Sequence, residues 1–96
     1  MGASTAAVAP VSCTATRVSA TQIRVIWTAA PNNNADDYVI RRSRNGGSFF
    51  WTGVSATTTF NNNNVGAGTY RYTVEARNGS GNSSATACGP NGGITL

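Results

Sequence analysis

Three carboxylates, seven arginines and two cysteines are the reactive side chains of this 96-residue chain, which has no histidine and no lysine. Acid–base catalysis needs titratable groups that converge on one reacting atom. The adjacent residues Asp36 and Asp37 come nearest to that requirement, beside the turn-forming stretch "PNNNAD". Neighbours on a strand point to opposite faces, so the two carboxylates make a poor acid–base pair. They read as turn-capping and charge-balancing groups, and a non-catalytic protein is expected. Two thiols without a histidine are too few donors for a metal centre, and no cofactor is expected.

Cys13 and Cys88 lie near opposite ends of the sequence, with no CxxC spacing. One reading is a structural disulfide, which implies an oxidising or extracellular setting. The other is a pair of buried free thiols that pack as small apolar residues. The disulfide is the favoured expectation of the two.

The run Phe49-Phe50-Trp51 stands out among the apolar residues. On a strand, Phe49 and Trp51 share a face while Phe50 takes the other, so the rings cannot all enter one core. Either one ring is buried and the others cover a sheet edge, or the segment is an aromatic contact surface for a sugar or a protein neighbour.

Short segments of alternating apolarity, separated by turn chemistry, must position these groups, and that pattern is the mark of an all-β sandwich. A first segment runs over 11–18. In "QIRVIWT", Ile23, Val25 and Trp27 share one face. "DYVIRRSR" follows with Tyr38 and Ile40 inward, and Asn45-Gly46 supplies a strong hairpin signal, because both residues tolerate positive φ. "SFFWTGV" returns as a fourth strand, and "TTTF" is a short fifth that ends in the polar run Asn61 to Asn64. "GTYRYTVEARNGSGNSS" then places Tyr70, Tyr72, Val74 and Ala76 on one face before a soft turn, and Ser83 to Cys88 completes the set. No segment shows a helical period, and no apolar run approaches the ~20 residues of a membrane span.

This ordered set resembles a fibronectin type III domain over roughly residues 10–90, bacterial and phage members in particular. Three stretches carry the resemblance: Trp27 closing an "I-x-V-x-W" pattern, Tyr38-x-Ile40 opening the third strand, and the run from Gly68 to Ser84 as sixth strand and following loop. The resemblance implies an immunoglobulin-like, seven-stranded β-sandwich, with strands A, B and E facing C, C′, F and G. It makes Trp27 the core tryptophan and Tyr70 the corner tyrosine whose hydroxyl bonds nearby backbone, with Tyr38, Tyr72 and Val74 alongside them in the core. Its third and sixth strands are antiparallel neighbours. Pairing Ile40 with Val74 then sets Asp37 opposite Arg77 and Glu75 diagonal to Arg41. Arg44 and Arg71 are left near one pole, where a solvated charged face is the favoured reading and contact with an anionic partner the other. In the second they join Phe49, Phe50 and Trp51 as candidate contacts. The implied topology also lets Cys13 and Cys88 meet across one edge. The chain departs from the family pattern in three ways: it lacks the usual proline before the corner tyrosine, it has no Arg-Gly-Asp loop, and paired cysteines are no general feature of the family.

Residues 10–90 are thus expected to form the domain, with an N-terminal extension over 1–9 and a C-terminal tail over 91–96. Met1, with no recognisable leader, suggests a whole natural protein. The expected role is structural or adhesive, with a decoration subunit on a tailed-phage virion as the first setting. The alternative is a spacer or accessory carbohydrate-binding module of a secreted bacterial polysaccharide hydrolase or cell-surface protein. Either role places the chain on a virion surface or outside the cell, against other virion or cell-surface proteins or surface glycans. The fold is expected to be monomeric by itself and multimeric within an assembly. Ten charged residues spread over a whole domain do not make a nucleic-acid arm.

Overall fold

The computed structural model describes residues 6–96; the first five residues of the expected N-terminal extension lie outside them. Nine strands follow one another: β1 (Ser12–Ser19), β2 (Gln22–Thr28), β3 (Asp37–Arg44), β4 (Phe50–Ser55), β5 (Thr59–Asn62), β6 (Thr69–Asn78), β7 (Gly81–Asn82), β8 (Thr86–Ala87) and β9 (Ile94–Thr95). One sheet has the order β1-β2-β5; in the other the order is β4-β3-β6, and β7, β8 and β9 all pair with β6. The ladders are antiparallel. The two sheets face each other as an immunoglobulin-like sandwich, in the strand order that the resemblance implies.

Period-two alternation explains the core. β2 contributes Ile23, Val25 and Trp27, while Ile26 between them stays exposed. β6 contributes Tyr70, Tyr72, Val74 and Ala76, and β3 contributes Tyr38 and Ile40. The Trp27 and Tyr38 rings meet edge to face at 5.4 Å, a favoured arrangement for aromatic quadrupoles. Ile40 pairs with Val74 and Asp37 with Arg77 in the β3–β6 ladder. On its outer face Arg77 forks onto Asp37 through bonds of 2.9 and 2.8 Å, and Arg41 Nε donates to Glu75 at 2.8 Å.

The structure differs from the sequence reading in three places. Ser83 to Cys88 does not form one seventh strand; the chain touches β6 in three short pieces instead. Residues 91–96 are not a free tail, since Ile94 pairs with Tyr70 and Leu96 exchanges backbone bonds with Gly68. Gly93, at φ 84°, permits this approach, because a Cβ there would lie 2.6 Å from the Tyr70 carbonyl oxygen. Finally, the polar run after the fifth strand is not all turn: Asn61 and Asn62 pair with Arg24 and Ile23.

One edge of the sandwich is closed. Cys13 and Cys88 form a disulfide there, and beside it Ala15 N donates to Gly89 O while Gly89 N donates to Cys13 O. The opposite edge is open, with β4 ending its sheet and β5 ending the other. Among the described residues no helix is long and apolar enough to cross a membrane.

Candidate binding site

Tyr38, Ile40, Arg42 and Arg44 alternate along β3 and so share its core-facing side. Ile40 is sealed in the core, Arg42 is half-buried and Arg44 is exposed. The same face therefore passes from the core to solvent as β3 runs towards its turn. That turn is closed by Gly47 N donating to Arg44 O, with Asn45 and Gly46 both at positive φ. The chain returns at Phe50, so Phe49 lies outside the ladder. A β-bulge between Ile40 and Arg41 then sets Trp51, rather than Thr52, against Arg41.

None of the three rings enters the core. Phe49 is 40% exposed, Phe50 70% and Trp51 58%. Arg42, Arg44, Phe50, Trp51, Thr52 and Asn62, with the turn at Gly47 and Ser48, line an open concavity of about 410 Å³. Of the residues expected to meet a partner, Arg44, Phe50 and Trp51 come together in this cavity. Phe49 and Arg71 do not line it. Arg71 alternates with the inward Tyr70 and Tyr72 and so lies on the far face of the sheet, exposed.

Below the cavity is a hydrogen-bonded floor. Asn62, buried to 9% exposure, accepts at Oδ1 from the Tyr72 hydroxyl at 2.7 Å and from Arg42 Nη1 at 2.9 Å. The Arg42 guanidinium lies 4.8 Å from the Tyr70 ring centre, within cation–π range. Arg44 Nη2 donates to the Ala67 carbonyl at 2.7 Å. The Tyr70 hydroxyl donates to Gly66 O at 2.9 Å and so ties the start of β6 to the loop before it. Burial pushes the Tyr72 phenol up to about 12, against a smaller opposing pull from Arg42. At the other pole, the hydrogen bond from Arg77 holds the Asp37 carboxyl below its ordinary value.

Arg42 and Asn62 were missed as site residues. Arg42 was legible, since it falls in phase with Tyr38 and Ile40. Asn62 was hidden inside a run of asparagines whose composition reads as turn. No group of three or more His, Cys, Asp or Glu able to hold a metal ion occurs among the described residues. The cavity's chemistry is that of two guanidiniums, an amide and the exposed Phe50 ring, with Trp51 at its rim.

No sequence-family profile and no curated protein matches the chain. Solved structures do. The titin kinase with its flanking domains aligns over 93% of this chain at 21% identity and a TM-score of 0.77, and the chain spans only 17% of that larger protein. The FN3tt domain aligns over 88% of this chain and 92% of its own, at 16% identity and a TM-score of 0.76. The FN5 domain of Drosophila Lar aligns over 84% and 90%, at 23% identity and a TM-score of 0.67. With the strand order, the buried Trp27 and the Tyr70 corner bond already in place, these likenesses establish that the chain has the fibronectin type III fold.

Proposed function

We propose that this domain is a non-catalytic adhesion module that docks through the open end of β3 and β4, outside the cell. The observation that carries this reading is the exposure of Phe50 and Trp51 together in a concave site flanked by Arg42 and Arg44. Large apolar rings left in water are costly unless a partner covers them, and aromatic residues and arginine are the types enriched where partners bind. The Cys13–Cys88 disulfide fits an oxidising environment.

Two settings accommodate such a module: the surface of a tailed-phage virion, and a secreted or cell-surface bacterial protein in which it serves as spacer and accessory binder. The virion setting draws on chain ends held by neighbouring subunits. Ile94 and Thr95 are paired with β6 of the same domain, so these residues need no neighbouring subunit to hold them.

The labelled, oxidised domain should be retained by intact bacterial cells of its source or by their extracted surface polysaccharide, or by virions in the first setting. It should turn over no polysaccharide, ester or peptide substrate. A Phe50→Ser/Trp51→Ser double variant should lose retention while melting at the parent temperature. Full retention by that folded variant would overturn the docking surface.

A further inference from the structure

We infer that the β3–β4 cavity takes an acidic saccharide, a sugar bearing a uronate carboxylate; the inference rests on the reading of this face as the docking surface and names its ligand. The first argument is charge. Among the described residues the ion pairs are Arg41 with Glu75 and Arg77 with Asp37. The remaining carboxylate, Asp36, lies in the β2–β3 loop at the opposite pole, its backbone N–H bonded to Arg77 O. Among the described residues Arg42 and Arg44 thus face the cavity with no Asp or Glu side chain in ion-pair contact. Each guanidinium carries five N–H donors and no acceptor. Arg42 donates to Asn62 and Arg44 to Ala67, which leaves most of both forks for a ligand.

The second argument is the orientation of Asn62. Arginine can only donate, so the Asn62 atom facing Arg42 Nη1 must be its oxygen. The same oxygen accepts from Tyr72. Asn62 Nδ2 is thereby fixed as a further donor, on a side chain that is nine-tenths buried and lines the cavity. The wall is rich in donors and poor in acceptors, which calls for an anionic ligand with many oxygen acceptors.

The third argument is shape. Phe50, opposite Arg42 in the β3–β4 ladder, offers a flat apolar face suited to the C–H face of a pyranose ring, with Trp51 at the cavity's rim, and the cavity falls in the ~300–1,000 Å³ range of small-ligand sites. A planar carboxylate matches the fork of a guanidinium in bidentate geometry. Nucleic-acid bases also stack on aromatic rings, but single-strand binders track successive phosphates along a charged groove. No such track continues here. Arg17 and Arg24 belong to the other sheet, and Arg71 lies on the far face of its own. The site has cations for one acidic group.

The test titrates the oxidised domain with tetragalacturonate, a hyaluronan tetrasaccharide, cellotetraose and an oligothymidylate eight nucleotides long, followed by tryptophan fluorescence and calorimetry. Trp27 is buried, so a change on binding reports Trp51. At least one uronate tetrasaccharide should saturate a single site, about tenfold or more tighter than cellotetraose, the effect of one charge-assisted contact. Arg44→Gln and Phe50→Ala, both at exposed positions, should each weaken it about tenfold with an unchanged melting temperature. Arg17→Gln removes the same charge elsewhere and should leave affinity unaltered. Equal weakening by Arg17→Gln, equal binding of cellotetraose, or tighter binding of the oligothymidylate would each overturn the assignment. So would the absence of saturation by either uronate. In that last case, cell or virion retention that still depends on Phe50 and Trp51 would preserve the docking surface and discard only its ligand.

Discussion

The two edges of the sandwich are built in opposite ways. Along one, β1 and the interrupted last strand are joined by the Cys13–Cys88 bridge, by backbone bonds at Gly89, and by Thr86 Oγ1 donating to Pro10 O at 2.6 Å. Along the other, β4 and β5 approach where Gly53 lets the Phe60 ring rest against backbone, since a Cβ at that position would collide with the ring. The outer side of β4 has no strand partner, and its first two residues are the exposed rings. The contrast teaches where order is spent. The closed edge fixes the sandwich, and the open edge can carry apolar surface because little of the fold depends on it.

The largest expected effect lies on the closed edge. The bridge spans a sequence separation of 75 residues, and constraining a loop of that length stabilises a domain by about 4 kcal/mol in the chain-entropy model. A Cys13→Ala/Cys88→Ala double variant should lose about that much in guanidinium unfolding. A loss below about 1 kcal/mol, the size of a single hydrogen bond, would mean that the backbone bonds at Gly89 hold the edge alone. Non-reducing mass spectrometry of the parent should find the peptides containing Cys13 and Cys88 linked.

Trp27 belongs to neither edge, and its removal should weaken both. Trp27→Ala should cost about 3 kcal/mol, the lower end of the range for deleting a large core aromatic. The lower end applies because the indole N–H is buried with no hydrogen-bond partner, so part of what the ring contributes is already offset. Trp27→Phe should therefore cost clearly less than Trp27→Ala in the same denaturation experiment. Equal losses would mean that neither the retained phenyl packing nor the removal of the unpaired N–H recovers any stability.

The two edges were unequally legible in the sequence. β2, β3 and β6 read cleanly, because each buries one face and alternation exposes that directly. The Ile40–Val74 register followed from the family topology, and with it the Asp37–Arg77 and Arg41–Glu75 pairs. The open edge read poorly. Neither the register shift opposite Ile40 and Arg41 nor the close approach of Gly53 to the Phe60 ring, a non-local contact, is announced by any pattern in "SFFWTGV". Asn62 is buried only because Tyr72 and Arg42 converge on it from the facing sheet. The last strand was misjudged for a related reason. Its pieces are too short for periodicity, and β6 supplies the pairing that orders them.

The floor of the cavity gives the next effect. Tyr72→Phe removes one hydrogen bond to Asn62 and should cost about 1 kcal/mol. Its signature is alkaline. The phenol is raised from 10.0 to about 12 in the folded state, chiefly by burial. The folded domain thus holds the proton more tightly than the unfolded chain does. This contribution is complete below pH 10 and is lost as the pH climbs towards 12. Tyr72→Phe should flatten that part of the stability profile, and an unchanged alkaline slope would remove Tyr72 as its source.

The smallest expected effect decides whether the open edge is a surface at all. Phe50 and Trp51 are 70% and 58% exposed. Exchanging both for serine should shift stability by no more than about 0.5 kcal/mol, as for substitutions away from structural features. It should also raise solubility, because two rings leave the water-facing side of a strand with a free edge. The same exchange should abolish retention in the adhesion experiment. A small cost together with lost retention means that the rings serve a partner. A cost above about 2 kcal/mol, in the range of core truncations, would mean instead that the rings pack on their own domain in solution. The edge would then be closed on both sides, and the cavity between Arg42, Arg44 and Asn62 would be filled from within.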